Sequence, residues 1–290
     1  MLNRRGEVTE DAPGGSADFT ACFAAMALAE LFRATGTPSY RDEALACLSV
    51  YDASCAVAER PSAELPARVV YRQLAHPMFR LNMLLVLERC GIGAYGHEMD
   101  GAIAEMKLFR EPTTGLLFER RLPEGGIDLA SQDGRFVNPG HSLEGLSFAL
   151  QRIRISRDAA DLAWALEAVR SLGEFGLDER DGGLTYYRDG LDMPVAKFEA
   201  PLKVWWGNCE AASAFLEAYE LSDDDWFLKA FESIDNFNFT HLKDRDHPEW
   251  FAYAAVDGRQ FHTYKGSRFK TFFHLPRYLL NCIEIMGRMK

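Results

Sequence analysis

The 290-residue sequence has no excess of positive charge: 32 Lys and Arg face 43 Asp and Glu, for a net charge of −11. That balance argues against a nucleic-acid backbone or an anionic membrane as the principal partner. No apolar run reaches the ~18 residues that a membrane span needs. The stretch from Met1 through Arg4 and Arg5 contains no apolar signal core, so a cytoplasmic protein is expected. No CxxC spacing occurs among Cys22, Cys47, Cys55, Cys90, Cys209 and Cys282, which excludes a zinc knuckle and a thioredoxin motif. Scattered singly among apolar residues, these cysteines read as reduced, buried thiols.

Strand signals are also scarce. They are confined to Leu116–Arg120, Leu184–Arg188, Trp250–Ala255 and Gln260–Tyr264. Helical periodicity dominates instead. Beyond an irregular stretch at 1–15, the spacing of apolar residues predicts a helix from Ala17 to Gly36. Further helices are predicted over 38–58, 68–91, 94–109, 141–155, 157–174, 202–220, 223–241 and 272–289. Short hairpin segments recur between them: Gly115 and Gly183 are 68 residues apart, and Gly183 and Trp250 are 67. A regular period means repeated helix pairs, each unable to bury its apolar face alone. The prediction is an all-α toroid of helix hairpins in one domain spanning 1–290, with short β-hairpins on one rim. Phe118, Tyr186, Trp250, Phe251 and Tyr253 would then stand near the mouth or pack the rim. Six pairs at this period require roughly 400 residues, so about nine helices form an incomplete ring.

Three segments carry candidate chemistry. His141 follows Asn138-Pro139-Gly140 at a helix start, where the dipole depresses an imidazole pKa. Glu144 lies one turn on and would fix its tautomer; the alternative is a structural capping box. His274 is flanked by Phe272, Phe273 and Leu275, so it either finds a buried partner or faces a pocket. Lys203, Trp206 and Glu210 fall on one face if their segment is helical. A Trp beside a carboxylate suits a sugar, whereas the alternative is a core Trp pair with a Lys–Glu bridge. Of the other histidines, His247 and His262 fall in turns.

Together these segments resemble the N-acylglucosamine 2-epimerase (renin-binding protein) family. Asn138-Pro-Gly-His-Ser-Leu-Glu144 is similar to its NPGHxxE, and Lys203-Val-Trp-Trp-Gly-Asn-Cys-Glu210 to its KxWWxxxE. Glu249-Trp250, Lys265-Gly266, Lys270 and Phe273-His274-Leu-Pro-Arg277 resemble its terminal EW…KG…K…FHxPR run. The resemblance implies an (α/α)6 barrel and interconversion of N-acetylglucosamine and N-acetylmannosamine, or a related aldose, through an enediolate. His141 and His274 would be the acid/base pair, with Glu144 and Glu210 orienting them. Asn138, Lys203, Trp206 and Trp250 would bind the sugar. No metal or cofactor is implied, although a nucleotide activates some members without being consumed. The sequence departs from the family at Asn208, where a His or Gln is common, and at an early-helix arginine that it lacks. A homodimer covering the open barrel wall is expected, with a weak or inactive carbohydrate-binding relative as the alternative.

Overall fold

The computed structural model describes residues 17–57, 70–267 and 270–289. The stretch expected to be irregular, 1–15, lies outside them. The chain forms two compact units, Met1–Met106 with Leu122–Gly125, and Lys107–Arg121 with Gly126–Lys290. Among the described residues no helix is long and apolar enough to cross a membrane.

The first unit holds α1 (Ala17–Thr35), α2 (Pro38–Val57), α3 (Ala75–Arg89) and most of α4 (Gly96–Lys107). Helix α1 packs on α2 and α3 through buried Cys22, Ala25, Ala29, Tyr51 and Leu81. Helix α3 begins later than the periodicity indicates, because residues 70–74 form a turn and the two-residue strand β1 (Arg72–Gln73).

The second unit carries the repeat. Helix α5 (Pro139–Ser156) pairs with α6 (Ala159–Gly176), and α7 (Trp205–Ser222) pairs with α8 (Asp225–Phe237); α9 (His274–Arg288) follows. Helix α7 lies between α5 and α9, and α6 and α8 pack behind. The turns inside the pairs are copies of each other. Arg157 and Asp223 end α5 and α7 in the left-handed conformation, at φ 59° and 57°. Asp158 and Asp224 then cap the next helix through backbone N–H groups.

Each repeat is closed by a hairpin held by a single antiparallel bridge: Arg110 to Leu117, Leu177 to Leu184, and Lys243 to Trp250. These bridges recur at 67 and 66 residues, one less than the glycines indicate. The equivalent of Gly115 is Gly182, since each donates its N–H to the carbonyl four residues back, at 2.9 Å. Both adopt positive φ (71° and 75°), which glycine permits without strain.

The remaining strands are two residues long: β2 (Arg120–Arg121), β3 (Phe136–Val137), β4 (Arg188–Asp189), β5 (Lys203–Val204) and β6 (Tyr253–Ala254). β3 pairs with β4, and β5 with β6, both antiparallel. The pairing of β5 is why α7 starts at Trp205 and not at 202. Helix α8 likewise stops early, passing into a π-turn at Asn238–Leu242.

Candidate functional site

The starts of α5, α7 and α9 converge at one end of the second unit. Asn138 caps α5, its Oδ1 accepting the His141 N–H at 3.2 Å, and Pro139 occupies the first turn. Gly140 and Gly207 let the two helices touch backbone to backbone: a Cβ on Gly140 would lie 2.6 Å from the Gly207 Cα. That contact sets His141 beside Trp206, with ring centroids 6.4 Å apart and planes at 89°. Trp206 also lies 5.4 Å from His274. One indole therefore touches both imidazoles.

A separate carboxylate grips each imidazole. Nδ1 of His141 lies 2.9 and 3.0 Å from the Glu119 oxygens. Nδ1 of His274 lies 2.7 Å from Oε1 of Glu210. A carboxylate accepts, so each Nδ1 carries the proton and the lone pair of the neutral ring is on Nε2. Glu144, expected to orient His141, turns instead toward α9. Its buried Oε1 is 3.9 Å from His274 Nδ1 and 3.7 Å from Arg277 Nη2, without a hydrogen-bond partner. The Arg277 guanidinium is paired with the second Glu210 oxygen and covers the Phe148 ring at 4.8 Å.

These surroundings separate the two imidazoles electrostatically. Burial opposes a charge on His141, but the Glu119 carboxylate, and Glu144 further off, outweigh it and raise its pKa above 6.5. The helix-start depression expected there is overridden. Burial lowers the pKa of His274 below 6.5; Glu144 works against that, and the charge on His141 adds to it. The two pKa values are therefore displaced in opposite directions, which suits His141 to giving up a proton and His274 to accepting one.

Other candidates lie elsewhere. Lys203 is on β5, not on the α7 face with Trp206, and its buried ammonium is bound to Asp178 at 2.8 Å. Trp250 is only 5% exposed and packs between Phe239 and Tyr278. Trp205 is buried as well, under Lys270. Both adjacent tryptophans meet His274, Trp205 edge-on at 6.4 Å and Trp206 at 5.4 Å, and Trp206 meets His141 as well. Asn208 is structural: its side chain accepts from the Leu184 N–H and donates to the Val204 carbonyl, tying a hairpin to α7.

Glu119 escaped notice in the sequence, being 22 residues from its imidazole. Its signal is the repeat register. Glu119 and Tyr186 stand two residues after the bridge residues Leu117 and Leu184. Both point at the site, Tyr186 lying 5.7 Å from Trp206. By donor type, Glu144, Glu210 and His274 could hold a metal, their ligand atoms lying within 4.8 Å of one another. The Arg277 guanidinium, set against both carboxylates, already supplies positive charge there and opposes a cation.

The model of the family N-acylglucosamine 2-epimerase (GlcNAc 2-epimerase) matches residues 4–276. The N-acylglucosamine 2-epimerase of Bos taurus is 33% identical over 282 residues, covering 93% of this chain. The chain spans 65% of that relative's length. Among solved structures, a cellobiose 2-epimerase from Bacillus thermoamylovorans superposes with a TM-score of 0.76 at 18% identity, over 92% of this chain and 71% of that one. A D-mannose isomerase gives 0.76 at 16% identity, over 93% and 72%. These likenesses show the fold class, an all-α (α/α)6-type toroid with small antiparallel strand pairs. The chain belongs to the N-acylglucosamine 2-epimerase family.

Proposed function

We propose that the chain is a sugar 2-epimerase acting on N-acylglucosamine or a related aldose by proton transfer between two histidines. The observation that carries this reading is the meeting of two imidazoles, His141 and His274, at one indole, each held through Nδ1 by its own carboxylate. The open-chain sugar lies against the Trp206 indole, whose face suits the C–H face of a sugar. Nε2 of neutral His274 removes the proton on C2, alpha to the C1 aldehyde. The C–H electron pair moves into C1–C2 and onto the carbonyl oxygen, giving an enolate, which is an enediolate where C2 carries a hydroxyl. His141 delivers its proton to the opposite face of C2, which inverts that carbon. With a hydroxyl on C2, delivery at C1, together with passage of the O2 proton to O1, gives a ketose instead. Either way the enzyme is left with His274 protonated and His141 neutral, and exchange with solvent or the reverse reaction resets it. General acid–base transfer of this kind contributes about 10²–10⁴-fold. The unpartnered oxygen of Glu144 accepts a sugar hydroxyl, and Arg277 supplies positive charge near the developing oxyanion.

The test is incorporation of deuterium at C2 of N-acetylmannosamine, N-acetylglucosamine, mannose or glucose in D2O. Exchange with at least one sugar, abolished in His141→Asn and His274→Asn, is expected. Folded protein that exchanges none of them refutes the reaction. Calorimetric binding of a sugar without exchange would point to a non-catalytic carbohydrate-binding relative.

A further inference from the structure

The three helix starts at the site are delivered in different ways. Asn138 caps α5, and the pairing of β5 with β6 leads into α7. Phe273 precedes α9, and its side chain has no acceptor with which to cap a helix. The approach to α9 is tied down by two lysines instead. The Lys265 ammonium binds the Asp244 carboxylate and the carbonyls of His247 and Pro248, the last at 2.9 Å. The Lys270 ammonium, four residues before His274, is bound to the Glu249 carboxylate at 2.5 Å. Lys270 is buried, and its ammonium lies 5.4 Å from the centre of the Trp205 ring, which meets His274 edge-on.

Glu249 has an unusual backbone conformation, with φ at 72°. Trp250 and Leu184 close equivalent hairpins, so the residues before them, Glu249 and Gly183, are counterparts. Gly183 has nearly the same φ, 75°. Glycine adopts that conformation freely, whereas a residue with a Cβ is strained in it. Where the repeat uses glycine, this hairpin carries a glutamate against the backbone preference. What the glutamate adds is a carboxylate. One of its oxygens accepts both the Trp250 N–H, at 2.9 Å, and the Lys270 ammonium. Strain tolerated for a side chain that anchors the approach to a reacting group points to function at that group.

We propose that Glu249 and Lys270 are positioning residues for His274. Their ion pair fixes the entry into α9 and holds Trp205 against the imidazole, and neither residue contacts the sugar. The inference rests on the reaction proposed above and extends it.

The test removes both partners together. Glu249→Gly combined with Lys270→Met leaves no buried charge unpaired, relieves the strain at residue 249 and keeps a long side chain over Trp205. This double variant is expected to melt close to wild type, whereas Glu249→Gly alone strands a buried ammonium and melts lower. In the double variant kcat for C2 deuterium exchange should fall by about 10²-fold, the cost of a misplacement of about 1 Å, while KM stays within about twofold. Wild-type kcat in the double variant overturns the proposal, and so does a loss carried by KM alone. Nitrogen-15 NMR of the histidine rings reads position without turnover, and Lys270→Met suffices for it if the double variant does not fold. The His274 signals should move and those of His141 should stay. An unmoved His274, or equal movement of both rings, overturns the positioning role. If the wild type exchanges deuterium into no sugar, the reaction reading fails separately and the NMR comparison alone decides this one.

Discussion

Replacing Gly140 with alanine adds one carbon where α5 meets α7. That Cβ would lie 2.6 Å from the Gly207 Cα and 3.3 Å from its carbonyl carbon and oxygen. Non-bonded carbons rest at about 3.5–4.0 Å, and no flexible side chain is present to yield, so the helix starts must part by about 1 Å. Gly140 immediately precedes His141, and Gly207 immediately follows Trp206, so the movement falls on the pair that flanks the sugar. A misplacement of about 1 Å costs about 10²-fold in rate. Overpacking of this kind destabilises by about 1–3 kcal/mol, which lowers Tm by about 2–4 °C per kcal/mol. The reciprocal change is gentler. A Cβ on Gly207 meets the Val204 Cγ1 at 3.2 Å and the Gly140 Cα at 3.6 Å, contacts that a small side-chain shift relieves. C2 exchange rates and thermal melts of Gly140→Ala and Gly207→Ala should rank the first as clearly the worse. Equal activity and stability of Gly140→Ala and wild type, or greater damage from Gly207→Ala, would refute the close-approach argument.

Further outcomes follow from the same geometry. The pH profile of kcat/KM should be a bell. Activity rises as His274 loses its proton below pH 6.5, and falls as His141 loses its own above it, because the two pKa values are displaced in opposite directions. Glu119→Gln removes the charge that holds the His141 pKa up and leaves burial, which lowers it. The high-pH limb should move to lower pH, and kcat at neutral pH should fall by about 10²–10⁴-fold; an unmoved limb would dissociate Glu119 from catalysis. Treatment with a chelator should leave the exchange rate unchanged, since Arg277 holds the positive charge between the two glutamates. Loss of activity restored by added metal would contradict that reading.

Much of the fold was legible in the sequence because the repeat is written in turn chemistry. Gly115 and Gly182 occupy positive-φ positions, and Asp158 and Asp224 cap helices, so those residue types recur where the backbone requires them. The boundaries that failed depend on non-local pairing. Lys203 and Val204 fit the helical pattern of the residues after them, but they are held extended by Tyr253 and Ala254, fifty residues away. The histidines and the Trp206–Glu210 pair stood out as polar groups among apolar neighbours. Glu119 did not, because its meaning comes from the hairpin register and from an imidazole on another element. Trp250 and Lys203 were legible as unusual residues, but their burial against Tyr278 and Asp178 comes only from tertiary packing. The turn residue His262 likewise gains its place only when the 253–261 hairpin closes and sets it edge-on against Tyr253.

Two imidazoles in one site have pKa values displaced in opposite directions from 6.5. Nitrogen-15 NMR titration of the histidine rings, assigned with His141→Asn and His274→Asn, measures this directly. His141 is expected to titrate above 6.5 and His274 below it, each with its neutral-ring lone pair on Nε2. The reverse order, or both rings titrating on the same side of 6.5, would contradict it.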